Sequence, residues 1–256
     1  MKRSRLIRPL CMVGVLLLAV LACLPGPTPL STQPPAVQDT VAPVATTVPP
    51  TEAAQKYFTE EFDGEGDPWS HFVVDASVPG GMPALAPKDV ENMSVGVNKG
   101  ALVFDLQSKW LYVYAMYDSQ EYEDVRLDAV AENSGVNDNN ISLICRYSKE
   151  DGWYEFNVAN NGLFDIYYAR YTQDDKIVYG KLADGGSNKI KQGKDVNNYA
   201  ITCKGRTLVL YINGFETRRI VDNQYVLKSG KVGVSVSSFK FLPVKVAFDS
   251  VKISEP

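Results

Sequence analysis

The chain has 256 residues, 45% of them hydrophobic, 22% charged and 11% aromatic, with a formal net charge of −4 and a single His. That apolar content excludes a disordered chain and falls short of a multi-span membrane protein. The acidic balance argues against a nucleic-acid partner, since phosphate binding needs a basic surface. One imidazole also leaves little scope for a His-rich metal site.

In chain order, Lys2, Arg3, Arg5 and Arg8 precede an apolar run from Leu10 to Leu21. The run is shorter than the roughly 20 apolar residues of a membrane-spanning helix. A charged start, a short apolar stretch and a small residue before a cut define a secretory signal peptide over residues 1–22. Val20-Leu21-Ala22-Cys23 resembles the lipobox of bacterial lipoproteins, which implies that Cys23 becomes the lipidated N-terminus of the mature chain. The alternatives are an ordinary signal peptide with an incidental Cys, or an uncleaved anchor. Cleavage removes four of the 26 basic residues and no acid, taking the charge from −4 to −8. Acyl chains, not electrostatic attraction, would then hold the protein at an anionic membrane. The expected location is outside the cytoplasm, on the bacterial cell membrane.

Residues 23–55 change to Pro, Thr, Ala, Val, Ser and Gln, with Pro34-Pro35, Pro43 and Pro49-Pro50 interrupting any helix or ladder. At roughly 3 Å per residue in polyproline II form, such a linker holds a domain several tens of Å from the lipid.

Residues 56–256 read as one all-β domain. The first expected strands are Tyr57–Phe62, Ser94–Val97, Ala101–Leu106, Trp110–Met116, Asp124–Ala131, Ile141–Tyr147 and Tyr154–Val158. Leu163–Tyr171, Lys176–Lys181, Tyr199–Cys203, Thr207–Ile212, Glu216–Val221, Gly233–Val236 and Lys245–Ile253 follow. Turn residues separate them, and Asn213-Gly214 has the composition of a two-residue hairpin turn. No window shows an apolar stripe at helical spacing. Alternation puts Val125, Leu127, Ala129 and Ala131 on one side of their strand, and Tyr154, Phe156 and Val158 on one side of theirs. This pattern suits two antiparallel sheets packed face to face.

Cys145 and Cys203 are the two thiols of this domain. In an oxidising compartment they are expected to form a disulfide, the alternative being two buried reduced cysteines. Sugar binding needs aromatic faces together with acids, amides or Arg for hydroxyl groups. Arg146, Trp153, Glu155, Asn157, Asp165, Tyr167 and Arg170 are read as facing away from the core and offer that set. The competing reading is a solvated sheet face with cross-strand ion pairs.

Glu60-Glu61-Phe62-Asp63 with Trp69 resembles the opening of bacterial concanavalin A-like (laminin G-like) jelly-roll domains. So do Ile144-Cys145-Arg146-Tyr147, Trp153-Tyr154-Glu155-Phe156 with Asn161-Gly162, and Leu210-Tyr211-Ile212-Asn213-Gly214. Gly230-Lys231-Val232-Gly233 and Val246-Ala247-Phe248-Asp249-Ser250-Val251 complete the series in the expected order. The resemblance implies a jelly-roll sandwich of two antiparallel sheets, in a superfamily of lectins, carbohydrate-binding modules, glucanases and hydrolases of 3-keto-disaccharides. Many functions share such a fold, so the fold alone selects none.

Laminarinase-type members of that superfamily carry catalytic acids as E-x-D-x-E on one inward strand face. Glu61-Phe62-Asp63-Gly64-Glu65 has that spacing, but Gly64, Gly66 and Pro68 turn its second half away from a strand, so no catalytic residue is assigned. Many relatives hold a structural calcium between the first and last strands. Glu61, Asp63 and Asp249 are the corresponding acids, with plain surface acids as the alternative. His71, beside Ser70 and near Asp75, reads as a packing or surface residue. The leading expectation is a lipid-anchored, lectin-like module that binds a carbohydrate or cell-surface polymer without catalysis. A glycoside hydrolase of the 3-keto-disaccharide type and a protein-binding adhesion module are the alternatives.

Overall fold

The structure, a computed structural model, describes residues 55–64, 69–76, 82–84 and 92–256. The expected signal peptide, Cys23 and nearly all of the Pro-rich linker lie outside the described residues. The described residues contain no helix. Their strands are β1 (Phe58–Glu60), β2 (Trp69–Asp75), β3 (Met82–Ala84), β4 (Met93–Val97), β5 (Leu102–Leu106), β6 (Leu111–Tyr122), β7 (Val125–Asn133) and β8 (Asn139–Ser148). They continue as β9 (Gly152–Ala159), β10 (Leu163–Tyr171), β11 (Ile177–Gly186), β12 (Val196–Lys204), β13 (Thr207–Ile212), β14 (Phe215–Val221), β15 (Gly230–Ser238) and β16 (Val244–Ser254).

Two eight-stranded antiparallel sheets result. Sheet A runs β14-β13-β12-β7-β16-β5-β4, with β1 also paired to β16; sheet B runs β11-β10-β9-β8-β15-β6-β2-β3. The core lies between them, and alternation decides who enters it. Leu127, Phe104, Ile201 and Phe248 of sheet A meet Val113, Leu143, Phe156 and Val234 of sheet B, all fully buried. Each such side chain contributes roughly 1.5–3 kcal/mol on leaving water.

Cys145 on β8 and Cys203 on β12 form a disulfide with Cα atoms 6.8 Å apart, so the bridge joins sheet B to sheet A through the core. The β13–β14 hairpin turns at Asn213 (φ +49°) and Gly214 (φ +81°), the left-handed pair that this turn requires. At the start of β9, Gly152 has φ +95°, and a Cβ there would collide with the Ala169 carbonyl. That close approach seats β9 against β10 and fixes where Trp153 stands.

Two strands carry no strong signal in sequence. β2 follows Gly64, Gly66 and Pro68, which obscure its onset, and β3 is three residues long. The polar ends of β6 and β11 also run past the expected Met116 and Lys181. Backbone pairing, Tyr122 with Gly230 and Phe164 with Gly185, extends them where apolar alternation has ceased.

Candidate functional site

The face of sheet B that turns away from the core gathers five of the seven residues expected to meet a ligand. Glu155 on β9 stands opposite Ile144 on β8 and Tyr167 on β10; Asn157 stands opposite Ser142 and Asp165; Trp153 stands opposite Ala169. Period-two alternation alone puts Trp153, Glu155, Asn157, Asp165 and Tyr167 on one side.

Arg146 and Arg170 are not part of this face. A bulge between Cys145 and Ser148, with φ +56° at Arg146, breaks the alternation and buries the guanidinium among backbone carbonyls of other segments. Arg170 shares the parity of Tyr168 rather than Tyr167, and is exposed on the other side of β10.

Three further strands supply residues that the candidate set lacks: Tyr112 and Tyr114 from β6, Ser235 and Ser237 from β15, and Tyr179 from β11. Tyr114 is opposite Ser235, which is opposite Ser142; Tyr112 is opposite Ser237. From β11 to β6 is five strand steps, which would span about 24 Å in a flat sheet. Yet the hydroxyls of Tyr179 and Tyr114 are 2.6 Å apart. Sheet B is therefore rolled into a trough along its strands, and Tyr179 reaches from one wall to the other.

Glu155 lies in the trough, fully buried. Its Oε2 accepts hydrogen bonds from Trp153 Nε1 at 2.9 Å and from Tyr114 Oη at 3.0 Å. Its Oε1 makes no hydrogen bond of good geometry and faces Ser142 and Asn157, which are bonded to each other. Burial pushes the Glu155 carboxyl above its ordinary range, and the Trp153, Tyr114, Ser142 and Asn157 groups oppose that rise. Burial, with the Glu155 carboxylate adding to it, also pushes the Tyr114 and Tyr179 phenols well above theirs, so both remain donors. On the rim, Lys181 pairs with Asp165 at 2.6 Å in an exposed contact that contributes little.

A carboxyl with a raised folded-state pKa favours folding at low pH and loses that contribution as pH rises through the raised value. Glu155→Gln keeps an oxygen for Trp153 and Tyr114 but cannot ionise. The melting temperature of Glu155→Gln relative to wild type is therefore expected to rise as pH increases from the ordinary carboxylate range through the folded-state value. A difference that stays constant across that window would contradict the assignment.

Other candidates fall elsewhere. Glu61 and Asp63 follow β1 on sheet A, off the trough, with buried Phe62 at φ +54° between them; Glu65 lies outside the described residues. Among the described residues no group of three or more His, Cys, Asp or Glu is placed to hold a metal ion. Ser70 and Phe72 share the trough side of β2, whereas His71, opposite Ala115, faces inward. The outer face of sheet A has an open groove of about 730 Å³ lined by Arg126, Asp128 and Tyr211. There Arg126 is held by Asp128 at 2.7 and 2.8 Å and lies over the Tyr211 ring, so its charge is already answered.

Two rolled and stacked antiparallel sheets of this order define an all-β jelly-roll sandwich of the concanavalin A-like class. No family model matches the chain, and no curated protein does. Solved structures do match in fold. The Bacillus licheniformis β-glucanase is 13% identical, with 80% of this chain and 100% of that one covered at a TM-score of 0.53. A glycoside hydrolase family 16 endo-glucanase from Bacteroides ovatus is 11% identical, covering 77% and 99% at 0.53. A prokaryotic β-1,3-1,4-glucanase (lichenase) from a mouse hindgut metagenome is 12% identical, covering 79% and 100% at 0.54.

Proposed function

We propose that this chain is an exported, lipid-anchored, carbohydrate-binding module whose sheet B trough receives the glycan without cleaving it. The observation that carries the reading is the composition of β9 and its surroundings. Its outward positions are Trp153, Glu155 and Asn157, one carboxyl where an E-x-D-x-E strand has three. That carboxyl is capped on one oxygen by Trp153 and Tyr114, and the nearest acid in the register, Asp165, is tied to Lys181. Around them Tyr112 and Tyr167 present partly exposed ring faces, the surfaces on which sugar rings pack. The fold neighbours are named as glucanases, which makes mixed-linkage glucan the first probe.

Glu155 also supports a second reading. A buried carboxyl held above its ordinary pKa is what a general acid needs, so a glycoside hydrolase of the 3-keto-disaccharide type remains the alternative. One experiment separates them: retention on glucan-coated beads, with reducing-end release from the same glucan. The binding reading expects retention by wild type, at least about tenfold weaker retention by Tyr167→Ala, and no released ends. Release that Glu155→Gln abolishes would replace it with the hydrolase. Acylation at Cys23 is read separately, as a palmitate label that Cys23→Ala eliminates.

A further inference from the structure

The two halves of the trough differ. On one side of Glu155 the space is filled: Tyr114, Met116, Ile144, Trp153, Ala169 and Ile177 form an apolar cluster with Phe72, Tyr147 and Tyr171 packed against it. Along the β2–β6 wall the same cluster continues to Val74 and Tyr112 beside Ser237. Trp153 lies 5.2 Å from the Tyr147 ring and 5.5 Å from the Tyr171 ring, so the aromatics plug the trough from wall to wall. On the other side the floor is small and polar, made by Ser235, Ser237, Ser142 and Asn157. The Ser235 and Ser237 hydroxyls are fully buried, point to this face and have no hydrogen-bond partner. Glu155 Oε1 looks into the same space without a well-formed hydrogen bond. Buried polar groups are ordinarily satisfied, and each one left alone destabilises the fold. Two such hydroxyls in one recess, Ser235 and Ser237, beside a carboxyl oxygen that only Ser142 and Asn157 approach, mark a place that a hydroxyl-rich molecule completes. The roof is Tyr179, whose ring lies 6.4 Å from that of Tyr112 and whose hydroxyl is held by Tyr114. Tyr179 comes from the sheet's edge strand and is 38% exposed, so it is the roof element freest to move.

We propose that this recess is a chain-end pocket, which takes the terminal residue of a neutral glycan once Tyr179 swings aside. The proposal rests on the reading of the trough as a glycan surface. A blind end stops a polymer from lying through it, so the recess receives an end and not the middle of a chain. The sugar hydroxyls meet Ser235, Ser237 and Glu155 Oε1, and one of them takes over the Tyr114 contact that Tyr179 gives up. No ion is called for, since the recess offers hydroxyls, an amide and a single carboxyl.

The test is titration calorimetry of the full chain with neutral glucose, mannose and galactose oligomers of one to six residues, on wild type, Ser235→Ala, Ser237→Ala and Tyr179→Ala. The pocket predicts one bound equivalent per oligomer at every length, with competition by the monosaccharide. Each Ser→Ala change weakens binding at least about tenfold while raising the melting temperature of the free protein, because it removes an unsatisfied hydroxyl. Tyr179→Ala binds at least as tightly as wild type; binding by that variant where wild type is silent also supports the proposal. Stoichiometry that rises with oligomer length, or affinities unchanged in both Ser→Ala variants, overturns the pocket and leaves the trough as a glycan surface. Silence of wild type and Tyr179→Ala toward every oligomer and toward mixed-linkage glucan overturns both readings.

Discussion

Loss of the Cys145–Cys203 bridge is expected to lower the unfolding free energy by about 4 kcal/mol, with a fall in melting temperature of roughly 10 °C. The bridge closes a loop of 58 residues, long enough to restrict the unfolded chain strongly. It also joins β8 of one sheet to β12 of the other, so the reduced unfolded ensemble loses the only covalent tie between the two sheets other than the main chain among the described residues. Both cysteines are fully buried, and a reductant reaches them only through opening of the sandwich. Urea unfolding with and without reductant is the direct measurement. The reduced form should show a lower midpoint and a steeper dependence on urea, since its unfolded state exposes more surface. Equal midpoints would mean that the chain-entropy contribution is cancelled by native-state effects. Paired Cys→Ala variants should fall at least as far, because they also leave small cavities in the core.

The fold was largely legible because sheet A and the middle of sheet B obey strict alternation. Val125, Leu127, Ala129 and Ala131 are buried, as their spacing requires, and Asn213-Gly214 turns as its two residue types demand. Trp153, Glu155 and Asn157 were legible for the same reason, being the odd positions of an even-cored strand. What period two cannot encode is a bulge. Arg146 reads as an outward residue until the bulge after Cys145 redirects it. Curvature is equally hidden. Tyr179 belongs to β11, five places away from the Tyr114 strand β6, with no local pattern linking the two, and only the roll of sheet B brings its hydroxyl to Tyr114. Tyr112-Val113-Tyr114 was visible as an alternating aromatic pair, yet tyrosines form strands whether or not they bind anything. The unsatisfied serines of β15 carry no sequence signal at all, because a Ser on a strand is ordinary until its neighbours are known.

Replacing Arg146 with Met is expected to cost about 3–5 kcal/mol of stability while leaving glycan affinity per folded molecule unchanged. Nε of Arg146 donates to the Glu123 carbonyl at 2.9 Å, and Nη1 donates to those of Gly205 and Leu227 at 2.7 and 2.6 Å. Nη2 pairs with Asp124 at 3.3 Å, and Asp124 in turn accepts the Gly205 amide at 2.8 Å. One guanidinium thus clamps the β6–β7 turn, the β12–β13 turn and the segment leading into β15. Met fills similar volume but leaves three carbonyls without their donor. A recess of about 280 Å³ at this end of the sandwich gives water a route to them, which keeps the loss from growing further. Lys should rescue little, since a single ammonium cannot span a planar fork of contacts. The left-handed backbone at Arg146 adds a second term, because a non-glycine residue at φ +56° costs on the order of 1 kcal/mol. Arg146→Gly relieves that strain and loses the clamp, so it should be less destabilised than its side-chain loss alone implies. Unfolding curves for the Met, Lys and Gly variants, beside their glucan retention, read both terms. A stable Met variant that no longer binds glucan would return Arg146 to the ligand surface and refute its role as a clamp.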